Sequence, residues 1–335
     1  MVILVTHGLI KEGFELNNPS SSLIKVLRTK NIPYLMLKHS LSGEGGSIIT
    51  LSLDGKDEKV FKILPHSIKI NWIRYIVDFI ITILVVICVK VRCGGKKPTY
   101  IGLDPLNAIS GVLLKCIGMV KKTVFFSVDY TPNRFKNKFL NYIYQFFDRS
   151  CSYKSDEVWN VSTRILQMRL KMGINKEKLF FIPNTPSKEY RKCEKYKRNL
   201  NRLVSLGPLS GQLDYVGFFE ALVFLVKDYP DMVLEIIGTG NFEQNYRNLV
   251  HDLDIVNNVV FKGPLPHPEA MEEISSSSIG LALYNGSWDF NYYGDSMKCR
   301  EYLFYGLPVL TTDTHSTVED ILEYKAGEIV DIGPK

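Results

Sequence analysis

A chain of 335 residues with 45% hydrophobic and 23% charged residues exceeds what a single core supports and has the composition of a globular protein, so two domains are expected and a disordered or fibrous chain is excluded. The net charge of +6 is unevenly spread: residues 1–183 carry 27 Lys and Arg against 13 Asp and Glu, residues 184–200 carry 6 against 2, and residues 201–335 carry 8 against 20. Such a basic half either serves solubility alone or meets an anionic partner, and without a nucleic-acid recognition motif an anionic membrane surface or a phosphorylated acceptor fits better than nucleic acid. Cys88, Cys93, Cys116, Cys151, Cys193 and Cys299 form no Cys-x-x-Cys pair and no zinc spacing, so they read as reduced thiols of a cytoplasmic protein.

Met1 to Val5 lacks the charged leader of a signal peptide and reads as a first buried strand ending at Thr6-His7-Gly8. A loop to Pro19, a helix capped among Ser20–Ser22 and running to about Lys30, and a strand over Ile32–Leu37 open a doubly wound parallel sheet. In such sheets ligands gather beyond the C-terminal strand ends, which puts His7 and Gly8 beside a ligand, with Gly8 permitting close backbone approach. For His7 the first reading is a hydrogen-bonded structural histidine, and contact with substrate is the second. A hairpin is expected around Asp54-Gly55. Trp72–Val89 is strongly apolar, but Arg74 and Asp78 leave only eleven uncharged residues against the roughly 20 of a membrane span, so a buried or interfacial helix is expected.

Tyr100–Asp104, a helix from Pro105 to Ile117, and a strand from Lys122 to Val128 follow. The last of these ends at Asp129, which is placed either against substrate or in a turn before Pro132. On a helix over Asn133–Arg149, residues Phe135, Phe139, Tyr142 and Phe146 fall on one side, as an interfacial face or as a core face. Val158–Ser162 and Phe180–Asn184 are the remaining strands of the first domain, and the Lys- and Arg-rich tract Ser187–Arg202 reads as a linker. The domains are thus residues 1–183, a basic linker 184–202, and residues 203–335, whose strands at Leu203–Gly207, Val233–Gly240, Val259–Gly263 and Ile279–Leu283 alternate with helices.

The stretch Gly294–Asp313 carries the most chemistry. A loop leads into a helix over Ser296–Tyr305, Gly306-Leu307-Pro308 stops it, and Val309–Thr311 is a buried strand. A helix N-terminus with unpaired N–H groups suits a diphosphate, Lys298 adds a mobile cation in its first turn, and Glu301 can accept two hydrogen bonds from a ribose diol.

The run Glu301-Tyr302-Leu303…Gly306-Leu307-Pro308-Val309, with Gly238-Thr239-Gly240, the Phe261-Lys262-Gly263 strand and Ile182-Pro183-Asn184, resembles the retaining GT-B glycosyltransferases of group 1 type. The resemblance implies an α/β chain of two doubly wound Rossmann-like domains facing across a cleft. It implies transfer of a hexosyl group, with retention and without a metal or other cofactor, from a nucleotide-sugar donor to a glycan or lipid-linked acceptor in cell-surface polysaccharide synthesis. The donor set it implies is Gly8, Gly238, Tyr293, Gly294, Asp295, Ser296, Lys298, Arg300 and Glu301, with Asp129, Lys298 and Glu301 catalytic. The location expected is cytoplasmic, and the basic first half, where it meets anionic lipid, would attach peripherally at the inner membrane face. The chain departs from the family pattern in three places, one being that the sequence ends at Lys335, ahead of the terminal helix that the family pattern returns to the first domain. Pro208 and Leu213 stand where relatives carry the clamp arginine and lysine, and Tyr293 stands where they carry the first of two glutamates spaced eight positions apart. A nucleotide-sugar epimerase and a non-catalytic nucleotide-sugar-binding protein are the rival readings.

Overall fold

The computed structural model describes residues 1–8, 19–41, 46–56, 58–63, 71–92, 95–186, 197–286 and 289–331. The loop from Leu9, Gly43 and Gly45, and most of the basic linker lie outside them. The chain divides into two compact units, Met1–Pro183 and Asn184–Lys335.

The first unit is built on eight strands: β1 (Val2–Gly8), β2 (Tyr34–Ser40), β3 (Ser47–Ser52), β4 (Lys59–Ile63), β5 (Thr99–Leu103), β6 (Lys122–Ser127), β7 (Glu157–Asn160) and β8 (Leu179–Phe181), in the order β4-β3-β2-β1-β5-β6-β7-β8. β2–β3 and β3–β4 pair antiparallel, the latter as the expected hairpin, and the other neighbours pair parallel. Near-continuous apolar runs such as Ile3-Leu4-Val5 are what a strand covered on both faces requires, and all three are 0% exposed. Five helices join the strands: α1 (Pro19–Thr29), α2 (Asn71–Arg92), α3 (Pro105–Cys116), α4 (Lys138–Lys154) and α5 (Thr163–Lys171). Ser20–Ser22 lie inside α1 rather than ahead of it.

Trp72–Val89 belongs to α2, whose inner side chains Ile83, Val86 and Val89 pack with Ile3, Val5, Leu35 and Leu37. The α4 helix starts five residues later than expected. Asn137 caps it, its side chain accepting from the amides of Phe139 and Leu140, while Asn141 Oδ1 accepts from the Arg134 amide and holds the preceding turn. Phe135 therefore falls outside the helix, and packs edge-on against Tyr144 with the centroids 5.8 Å apart.

The second unit has a six-stranded parallel sheet, order β11-β10-β9-β12-β13-β14: β9 (Arg202–Leu206), β10 (Val233–Ile237), β11 (Val259–Gly263), β12 (Ile279–Ala282), β13 (Val309–Thr312) and β14 (Gly327–Val330). Its helices are α6 (Tyr215–Asp228), α7 (Glu243–Asp252), α8 (His267–Ser275), α9 (Asp289–Tyr293), α10 (Met297–Phe304) and α11 (Val318–Glu323). One tyrosine fixes α10 on this sheet. The fully buried Tyr302 hydroxyl accepts from the Leu206 amide of β9 at 2.8 Å and donates to the Leu281 carbonyl of β12 at 3.2 Å. Gly280 makes room for the ring, since a Cβ there would come within 2.3 Å of it.

Candidate functional site

In the second unit the loops after β9 and β10 interlock. The Gly207 amide donates to the Ile237 carbonyl at 2.9 Å, and the Leu209 amide to the Thr239 carbonyl at 3.1 Å. Gly238 has φ 141°, and a Cβ on it would sit 2.0 Å from the Gly207 carbonyl oxygen. Gly240 is confined likewise, 2.3 Å from the Leu209 carbonyl. The Gly-Thr-Gly signal therefore marks backbone packed on backbone, a requirement that stands whether or not a phosphate also approaches.

Lys298 reaches over this platform. Its Cε would meet a Cβ on Gly207 at 2.4 Å, and its Nζ lies 5.2 Å from the centroid of the Tyr284 ring. Tyr284 is anchored by a 2.7 Å hydrogen bond to Ser296 Oγ, and burial pushes its hydroxyl above the usual tyrosine range, with the nearby ammonium opposing. Ser296 caps α10, its Oγ accepting from the Cys299 amide at 3.3 Å. Of the donors around this helix start, the Gly294 amide serves the Asn291 carbonyl, the Ser296 amide serves Thr317 Oγ1, and the Cys299 amide serves the cap. The Met297 and Lys298 amides are the first-turn donors with no protein acceptor among the described residues. These two amides, and the Lys298 ammonium over the Tyr284 ring, are the donors left at this end of the helix among the described residues.

The neighbouring charges are committed elsewhere. Asp295, 9% exposed, accepts a forked pair of hydrogen bonds from Arg300, a bond from Thr317 Oγ1 at 3.0 Å, and one from the Asn184 amide at 2.8 Å. Arg300 also pairs with Asp320 at 2.5 Å. Burial acts to lower the pKa of this guanidinium, but Asp295 and Asp320 together raise it above its ordinary value. Asp295, Arg300 and Asp320 thus form the brace that fixes the loop before α10. Tyr293 ends α9, half-buried and edge-on to Tyr292. Leu213 is 3% exposed, and Pro208 is exposed on the loop after β9. Neither side chain carries a charge.

Glu301 is 3% exposed and its Oε1 lies 2.9 Å from His267 Nε2, at the first residue of α8. The sequence reading missed His267. Its one signal is the Pro266-His267-Pro268 helix start, which says nothing of a partner 34 positions away.

In the first unit β1 and β5 are neighbours from which the chain runs in opposite directions across the sheet, the switch point where ligands collect in such folds. His7, at the tip of β1, lies 3.2 Å from Asp78 Oδ2 through Nε2, and its Nδ1 is 3.0 Å from Asn107 Nδ2. His39 Nδ1 reaches Asp78 Oδ1 at 3.3 Å. Burial works to raise the Asp78 pKa, but hydrogen bonds from His39 and His7 hold the carboxyl well below the usual range. Gly8 closes β1, and the Lys38 side chain lies over it. Asp129 is half-exposed and paired with Arg134 at 2.7 Å, and Arg134 stacks on Tyr144 at 4.9 Å. Asp104, which the sequence reading left without a role, links β5 to α3 with φ 68° and no side-chain cap bond. Burial pushes its carboxyl above the usual range, with Arg134 opposing. The unfavourable φ is invisible in sequence because any strand-to-helix junction can be written Asp-Pro.

Residues 186–334 match the family model for glycosyl transferases group 1. Among curated proteins the chain is similar to poly(glycerol-phosphate) alpha-glucosyltransferase of Bacillus subtilis, 25% identical over 167 residues that cover 48% of this chain and 23% of that protein. The chain therefore spans about a quarter of that relative's length. Among solved structures it is similar to the lipopolysaccharide outer core galactosyltransferase WaaB in apo form, with TM-score 0.64, 17% identity, and coverage of 99% of this chain and 87% of that one. It is also similar to HepE of Anabaena in complex with UDP, with TM-score 0.63, 13% identity, and coverage of 99% and 86%. At these identities the structural likeness speaks for the fold. With two Rossmann-like units and these structural likenesses, the chain has the GT-B fold, and residues 186–334, most of its second unit, match the group 1 glycosyl transferase model.

Proposed function

We propose that this protein transfers a hexosyl group from a nucleotide-sugar donor to a hydroxyl of a glycan or lipid-linked acceptor, with retention and without a metal, in the cytoplasmic stage of cell-surface polysaccharide synthesis. The observation that carries the reading is the start of α10, which offers two first-turn amides without protein acceptors among the described residues and the Lys298 side chain lying over the Gly207 backbone. As the bond from the anomeric carbon to the phosphate oxygen breaks, its electron pair stays on the phosphate, and these three donors stabilise the growing charge in place before reaction. Glu301, oriented by His267, holds the ribose diol through the oxygen opposite the histidine. Asp295 and Arg300 hold the loop and leave donor contact to Lys298 and Glu301. A UDP complex of one relative and the word alpha in the name of another agree with a nucleoside diphosphate leaving group and an axial product.

Calorimetry with nucleoside diphosphates and monophosphates tests this directly. A diphosphate should bind more tightly than its monophosphate, and Lys298→Ala should remove most of that difference while lowering kcat/KM by about 100-fold. Glu301→Gln should weaken a ribonucleotide but not its dideoxy analogue. Nucleotide binding with no sugar release from any donor would select the non-catalytic reading, which the buried Leu213 and the tyrosine at 293 favour. Conversion of the donor sugar without acceptor would select an epimerase.

A further inference from the structure

In the first unit α2 packs against α3, and α3 against α4, so three helices lie side by side on one face of the sheet. Their outer surface is unlike that of an ordinary helical layer. On α2 the residues Ile76, Ile80 and Leu84 follow one another at four-residue steps and are 51%, 50% and 56% exposed. Scattered exposed aliphatics need no explanation, but an unbroken row along a helix does. Ile117 at the end of α3 and Phe139 and Phe146 on α4 are also more than half exposed. The two carboxylates of the three helices, Asp78 and Asp148, are 2% and 1% exposed. Lys138, Arg149 and Lys154 of α4 are exposed. The next carboxylates along the chain, Asp156 and Glu157, are paired with Lys115 and Lys122.

We propose that the outer face of α2, α3 and α4 docks on an anionic lipid bilayer, with the aliphatic and aromatic side chains at the headgroup boundary and the cations among the headgroups. No described helix is long and apolar enough to cross a membrane, so the contact is one of lying on the surface. Charge selects this occupant over a second copy of the chain. A face with exposed cations and no exposed carboxylate repels its own copy, whereas anionic lipid complements it. The docking stands apart from the transfer reaction, and either can fail without the other.

Flotation of the full chain with vesicles tests it. The chain should float with equimolar phosphatidylcholine and phosphatidylglycerol and float roughly ten-fold less with phosphatidylcholine alone. It should be released as salt rises from about 0.1 M to 1 M, because the screening length falls from about 10 Å to 3 Å. Ile80→Glu with Leu84→Glu should abolish flotation at unchanged Tm, while Phe224→Glu, an exposed aromatic of the second unit, should float as the parent does. Cys88 and Cys116, exposed on α2 and α3, give a second readout: anionic vesicles should slow their maleimide labelling several-fold. The proposal is overturned if the parent stays at the bottom with both vesicles, or if the double variant floats undiminished. It is equally overturned if sedimentation velocity shows a dimer that Ile80→Glu with Leu84→Glu dissociates.

Discussion

The two units share a wound α/β plan but place their charged residues differently. In the first, charge is buried and closed on itself. Arg169, fully buried, donates to both oxygens of Asp148 and to Ser127 Oγ, and Asp78 sits between two histidines. In the second, Asp295 and Arg300 brace one loop in the same manner, but the sheet end is held by glycine backbones packed together and by one buried tyrosine hydroxyl, and the Lys298 cation lies over that end at the start of α10. The surfaces differ to match, with an excess of 14 positive charges over residues 1–183 and 12 negative charges over residues 201–335. The same architecture can thus present an electrostatic face or an electrostatic site, depending on where charges are paired and where they are left open.

Three substitutions or conditions press on that difference. The largest effect is expected for Asp148→Asn, which leaves the Arg169 guanidinium buried without its counter-charge. Denaturant unfolding of the first unit should show a loss of about 3–5 kcal/mol, and a loss below about 1 kcal/mol would break the contrast. Next is Gly238→Ala, which combines an unfavourable φ with a 2.0 Å approach to the Gly207 carbonyl. About 3 kcal/mol of destabilisation is expected, confined to the second unit. The smallest is an acid effect in the first unit. Asp78 has a folded pKa below its unfolded value of about 3.9, so its pairing stabilises the fold above about pH 4, and that stabilisation is lost as pH falls further. Asp78→Asn should be less stable than the parent at neutral pH and should lose less between about pH 5 and pH 2.

Most strands were legible because buried parallel strands are written as short apolar runs, as at Ile3-Leu4-Val5 and Val233–Ile237. Helix starts were less so. The α4 start depends on Asn137 and Asn141 bridging a turn, and the helical aromatic face expected from Phe135 onward, interfacial or core, begins only after Phe135, which packs on Tyr144 ahead of the helix. At the candidate site the sequence indicated Lys298 and Glu301 by spacing along one helix. It also indicated Asp295 and Arg300, and there the structure shows a carboxylate and a guanidinium meeting each other.

What the sequence determined by itself was the alternation of strands and helices, the resemblance of the second half, the uneven charge, and the glycine positions at the strand ends. These are local properties, written in periodicity and composition. Only the tertiary structure decided that His267 meets Glu301 across 34 positions, that Gly238 is glycine because Gly207 touches it, and that Ile76, Ile80 and Leu84 face outward while Ile83 and Val86 face the sheet. Each of these depends on which surfaces are brought together, and an apolar residue reads the same in sequence whether its side chain meets a core or the surroundings.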